Sequence, residues 1–112
     1  MRTPALVAVL ISLASCGSTL AVRSACAQAA RCGQLAAGVT EDSCVAAWET
    51  ELDRLRALHR ENCTKLVTAT TTLFACRGSL TCEQSADIRT TKCAQANEDW
   101  NVANSVASVE CH

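Results

Sequence analysis

CAQAARCGQLAAGVTEDSCVAAWETELDRLRALHRENC, residues 26–63, is followed after twelve residues by CRGSLTCEQSADIRTTKCAQANEDWNVANSVASVEC, residues 76–111. Written as spacings, the first stretch is Cys26-x5-Cys32-x11-Cys44-x18-Cys63 and the second is Cys76-x5-Cys82-x10-Cys93-x17-Cys111. Three successive gaps agree to within one residue although the side chains between them differ. That shared ruler predicts a duplicated unit, with pseudo-repeats 26–63 and 76–111.

The unit is helical. The sole proline is Pro4, ahead of both repeats, and alternating strand-like patterns are scarce. A first helix is expected from about Thr19 to Cys32-Gly33. A second starts at Thr40, whose hydroxyl can cap it, with Glu41 and Asp42 in the first turn opposing the macrodipole. Trp48, Leu52, Leu55 and Leu58 then form an apolar stripe at helical spacing. A third helix, Thr64 to Ala75, carries Leu66, Val67, Leu73 and Phe74, and Gly78 is expected to end it in the left-handed conformation. The fourth runs from about Ser85 or Asp87 to Val109, with Ala96, Trp100, Ala103 and Ala107 on one face.

The expected fold is therefore all-α: a small, disulfide-stapled, up-and-down four-helix bundle made of two hairpins. Its least certain joint is Asn62-Cys63-Thr64, where neither Gly nor Pro interrupts the chain and Glu61 with Lys65 would suit an unbroken helix. A single helix over 40–76 is the alternative. It would run about 55 Å, too long for a domain of this size, so a break is expected there.

Eight of the nine cysteines belong to the ruler, and Cys16 stands apart. Ahead of it, Arg2 and an apolar run from Ala5 to Leu13 read as an export signal. The run is about ten residues, whereas a membrane-crossing helix needs about 20. Leu13-Ala14-Ser15-Cys16 resembles the bacterial lipobox, in which the cysteine is acylated and becomes the new amino terminus. Residues 1–15 are thus expected to be a lipoprotein signal peptide and 16–112 one cysteine-rich helical domain. The resemblance implies attachment to a membrane through acylated Cys16. Gly17, rather than Asp, after the cysteine resembles the outer-membrane sorting pattern. Plain secretion, or a soluble periplasmic protein, is the alternative, with Ser15 and Gly17 as small residues around an ordinary cleavage site.

A domain this small, with Trp48, Phe74 and Trp100 as its only aromatic rings, has little from which to build a core. Disulfides compensate at about 2–4 kcal/mol each, and an export route supplies the oxidising compartment they need. In an up-and-down bundle Cys32, Cys44, Cys82 and Cys93 fall at one end, and Cys63 with Cys111 at the other. Cys63–Cys111 is the firmest expected pair, since bridged Cα atoms lie within about 7 Å. For the rest, the favoured scheme closes each loop, Cys32–Cys44 and Cys82–Cys93, leaving Cys26–Cys76. The alternative is Cys26–Cys44, Cys76–Cys93 and Cys32–Cys82.

Several chemistries lack a constellation to carry them. Zinc sites favour close Cys-x2-4-Cys pairs and redox sites Cys-x2-Cys, but the shortest gap here is five residues. No metal, cofactor or catalytic residue is expected. The net charge is −1, and Arg54, Arg56 and Arg60 are interleaved with Glu49, Glu51, Asp53 and Glu61, which argues against a nucleic-acid partner. His59 reads as a partly exposed mid-helix residue. Asn62-Cys63-Thr64 has the form of a glycosylation acceptor, but a bridged Cys63 would hinder its use. Trp48 and Trp100 each share a helix face with a cysteine; they read as aromatic plugs against disulfides or, alternatively, as the lining of a ligand cavity.

Cys26-x5-Cys32, Ser43-Cys44-x3-Trp48, Phe74-Ala75-Cys76-x5-Cys82 and Cys93-x6-Trp100 together resemble small cysteine-rich lipoproteins predicted in myxobacteria and related bacteria. The resemblance covers most of residues 16–111 and implies an envelope or secreted helical domain without an assigned activity. Plant lipid-transfer proteins also staple four helices with eight cysteines, but their Cys-Cys and Cys-x-Cys neighbours are absent here. The expected role is a non-enzymatic envelope lipoprotein presenting a rigid surface, with another envelope protein as partner. Alternatives are a carrier of a small apolar ligand between Trp48 and Trp100, and a secreted effector or inhibitor.

Overall fold

Each helix boundary is fixed by an identifiable local device. The structure, a computed structural model, describes residues 18–112 and is all-helical, with no strand among them. The expected signal, 1–15, and Cys16 lie outside the described residues. Helix α1 covers 18–31. It ends in a Schellman motif: Gln34 N donates to the Ala29 carbonyl at 2.8 Å and Gly33 N to the Ala30 carbonyl at 3.2 Å. This closure needs a left-handed residue, and Gly33 supplies it at φ 65°.

Helix α2, Glu41–Ala57, opens as its sequence suggests. Ser43 N donates to Thr40 Oγ1 at 3.1 Å while Thr40 N donates to Ser43 Oγ at 2.9 Å, a reciprocal capping box. Helix α3, Glu61–Arg77, follows after a break at Leu58–His59–Arg60. Residues 40–76 are thus two helices, but the break lies a turn before the expected Asn62-Cys63-Thr64. His59, expected mid-helix, is instead the exposed residue that turns the chain, at φ 51°. The Lys65–Glu61 pair, at 3.3 Å, falls wholly inside α3.

Gly78 ends α3, although not in the expected way. Its φ is −60°, an ordinary right-handed value. Glycine is required there by proximity: a Cβ at Gly78 would meet Ser24 of α1, lying 2.6 Å from its Cβ and 3.0 Å from its backbone carbonyl carbon. The fourth long helix also starts later than expected. A one-turn helix α4, Cys82–Ser85, carries its own Thr81–Gln84 capping box, and a 3-10 turn at Ile88–Thr90 follows. Only then does α5 run, from Ala94 to Glu110. The Asp87 carboxylate accepts from Arg89 N, and Thr91 Oγ1 from Cys93 N, so these side chains hold the segment before α5 out of helix.

The core takes in residues of the expected stripes of α2, α3 and α5 and adds a face of α1 for which no stripe was expected. Ala21, Val22 and Cys26 of α1, Leu52 and Leu55 of α2, and Leu66, Val67, Leu73 and Phe74 of α3 are buried together, with Ala107 of α5. Trp48, Leu58, Ala96, Trp100 and Ala103 pack around them, half-buried. Of the seams among α2 to α5, the most extensive joins α3 to α5.

Four disulfides link these helices: Cys26–Cys44, Cys32–Cys82, Cys63–Cys111 and Cys76–Cys93. Cys63–Cys111 is the expected pair. The favoured loop-closing scheme, Cys32–Cys44 with Cys82–Cys93 and Cys26–Cys76, is not the one formed; the alternative is. The reason is helical level and facing. Cys26 is buried on the inner side of α1 about one and a half turns before its end, level with Cys44 one turn inside α2. Cys32, beyond the end of α1, is turned outward and meets the exposed Cys82 at the start of α4. In ruler positions, first bonds third within each repeat, while second bonds second and fourth bonds fourth between repeats. Exchanging the two repeats leaves that pattern unchanged.

Candidate functional site

The two tryptophans proposed as ligand-lining residues are held in different surroundings. Trp100 projects from α5 onto α3, where its Nε1 donates to Thr70 Oγ1 at 3.0 Å. Thr70 is itself buried and donates to the Leu66 carbonyl at 2.7 Å. Trp100 is therefore a packed, hydrogen-bonded residue of the α3–α5 seam and lines none of the clefts described below. Trp48 stands edge-on to Phe74, with ring centroids 4.7 Å apart and planes at 88°. Such a T-shaped pair places the positive ring edge against the negative face.

Trp48 and Phe74 also wall a cleft of about 170 Å³ between α1, α2 and the end of α3. The Cys26–Cys44 disulfide contributes a second, sulfur-lined wall, and the polar side chains on the lining are Gln28, Arg77 and Gln34, whose Nε2 donates to Ser85 Oγ at 3.0 Å. Gln28 is 2% exposed, and its Nε2 is buried without a hydrogen-bond partner. Arg77, half-buried in the last turn of α3, makes no ion pair among the described residues. The sequence reading found Trp48 but missed Gln28, Phe74 and Arg77 as neighbours of one cleft. No single-helix pattern joins them, because they come from α1 and α3 and are brought together by the Cys26–Cys44 staple and the close approach at Gly78.

No family model matches this chain, and no curated protein or solved structure matches it.

A different feature lies on the far side of α5. Val102, Val106 and Val109, spaced i, i+4, i+7, are 57%, 48% and 87% exposed. They form a second face of α5, distinct from the packed stripe Ala96, Trp100, Ala103 and Ala107. Two adjoining recesses of about 300 and 290 Å³ run along this α3–α5 edge and share Lys65, Asp99 and Ala103. This valine row was also missed in the sequence, although its helical spacing is visible there.

At the end of the molecule away from the Trp48 cleft, basic side chains gather on the C-terminus of α5. Arg54 Nη1 donates to the Cys111 carbonyl at 2.7 Å and Arg60 Nη1 to the Glu110 carbonyl at 2.9 Å, satisfying groups that the helix leaves open. Arg54 also grips Glu51 with two bonds, which holds the Glu51 carboxyl below its ordinary value; partial burial opposes this, and the charges of Arg54 and His112 add to the lowering. These groups brace the fold around the Cys63–Cys111 bridge. All eight described cysteines are in disulfides, so their sulfurs are not thiolate ligands or nucleophiles, and among the described residues no group of three His, Cys, Asp or Glu is placed to hold a metal. The four bridges suggest an oxidising environment outside the cytoplasm. No helix among the described residues is long and apolar enough to cross a membrane.

Proposed function

We propose that this protein is a non-enzymatic lipoprotein of the cell envelope, held at the outer membrane by acylated Cys16 and presenting a disulfide-stapled helical surface to another envelope protein. The four long helices are taken as an up-and-down bundle of two related hairpins, 26–63 and 76–111. Two things support that reading of the scaffold: the shared cysteine ruler and a bonding pattern unchanged by exchange of the repeats. The spacings resemble those of small cysteine-rich bacterial lipoproteins.

The observation that carries the surface role is the exposed row Val102, Val106 and Val109. Single exposed apolar residues are common, but three on one face of a helix beside an open groove form a patch of the kind that partners cover. Anchoring is tested by fractionating cells that produce the Cys16→Ala protein: it is expected to leave the membrane fraction, and retention there would remove the anchor from the proposal. The surface is tested by Val102→Asp with Val106→Asp, which is expected to abolish crosslinks to envelope proteins while leaving the helical signal unchanged. Identical crosslinks in the variant would overturn the assignment of this face.

A further inference from the structure

From the cleft between α1, α2 and α3 we infer a binding site for a small monocarboxylate whose hydrocarbon part is about one ring in size. Its volume of about 170 Å³ sets the size. An apolar engineered cavity of about 150 Å³ is known to hold benzene, so one ring or a short branched chain is what fits. The walls set the body of the ligand as apolar: the Trp48 and Phe74 rings, the Cys26–Cys44 sulfurs and alanines of α1.

The polar groups set its head. Gln28 Nε2 is the sole buried side-chain nitrogen or oxygen without a partner among the described residues. Gln28 lines the cleft, and its Nε2 is sealed from water with nothing gained in return, so a rotation of the side chain that offers this N–H to an acceptor oxygen in the cleft is favoured. Arg77, also lining the cleft and without an ion pair among the described residues, attracts a negative charge and offers a planar fork that suits a carboxylate. Gln34 also lines the cleft, but its Nε2 is engaged by Ser85 Oγ, so one guanidinium and one free amide donor remain, which match the single charge of a carboxylate better than the double charge of a phosphate ester. Arg77 also faces the carbonyl end of α3, where a cation is favourable by itself, so the test must separate binding from stability.

The site stands apart from the envelope-surface reading, because neither Cys16 nor the valine row contributes to it. It is tested on the oxidised, soluble Cys16→Ala chain, labelled with 15N, by titrating phenylacetate and following the Gln28 side-chain amide and the Trp48 indole N–H. Both signals are expected to move along one saturable curve with a Kd on the order of 1 mM, as suits a ligand of this size. Phenylacetamide, which keeps the ring and loses the charge, is expected to bind about tenfold more weakly. Arg77→Gln should erase the preference for the acid without changing the ligand-free melting temperature by more than a few degrees. Gln28→Leu should weaken both ligands while leaving the free protein as stable as before or more so, because it removes an unpaired buried amide. Shifts that stay linear, that gather at Val102–Val109 instead, or that are as large with phenylacetamide as with the acid would overturn the inference.

Discussion

Trp100 and Thr70 are joined across the α3–α5 seam by one hydrogen bond, Nε1 to Oγ1 at 3.0 Å, and the Thr70 hydroxyl donates in turn to the Leu66 carbonyl. The threonine is thus acceptor and donor at once, which explains a buried hydroxyl in a largely apolar core. Thr70→Val keeps the shape and removes the acceptor. The half-buried indole N–H then lacks its partner, and unfolding in denaturant should show a loss of about 1–2 kcal/mol with Trp100 emission altered in the folded state. An unchanged midpoint would mean that water replaces the threonine freely.

Gly78 is a second point where one side chain decides the packing of two helices. Gly78→Ala forces a methyl into Ser24, including its backbone, so α1 must move away from the end of α3. Thermal unfolding should register a cost of about 1–3 kcal/mol. Pairing it with Ser24→Gly clears the Oγ and Cβ but not the backbone carbon, so only part of the loss should return.

The four bridges differ in access. Cys63 and Cys111 are both buried, whereas Cys32 is half-buried and Cys82 exposed. Exchange with an external thiol requires approach to a sulfur, so limited reduction followed by alkylation should label Cys32 and Cys82 first and Cys63 and Cys111 last. Loss of the Cys63–Cys111 bridge, which spans a separation of 48 residues, should lower stability by about 2–4 kcal/mol.

Acid sensitivity should have a component from Glu51. Its folded carboxyl lies below its ordinary value because of the Arg54 bonds, so its contribution to stability is present above the unfolded value, about 4.3 for glutamate, and fades as pH falls through the lower folded value. Urea midpoints measured between pH 7 and pH 2 should therefore fall less steeply on the acid side for Glu51→Gln than for the parent chain. Curves of identical shape would show that the Arg54 bonds do not persist in solution.

Local devices were the legible part of this fold. Thr40 and the glycine after Cys32 announced the end of α1 and the start of α2, because caps are short-range chemistry. The stripes of α2 and α3 identified much of the core, and the up-and-down order expected of the helices placed Cys63 with Cys111. Features that depend on two helices at once were hidden. His59 takes the left-handed turn that a sequence would assign to glycine, and does so because α2 and α3 must reverse there. Gly78 serves close approach, which no local pattern records. Pairing among Cys26, Cys32, Cys44 and Cys82 turned on which way each faced around its helix, and proximity along the chain favoured the wrong partners. The same limit applies to the cleft. Trp48 was visible as an aromatic beside a cysteine, but Gln28 and Arg77 acquire meaning only when α1 and α3 meet.

Nine cysteines serve as one proposed anchor and four staples, and the intact mass of the mature protein, taken before and after reduction, tests both parts together. The expected result is a chain that begins at Cys16, carries acyl mass on that residue, and gains eight hydrogens on reduction, two for each bridge. A mature chain beginning at another residue without acyl mass, or a gain other than eight hydrogens, would contradict it.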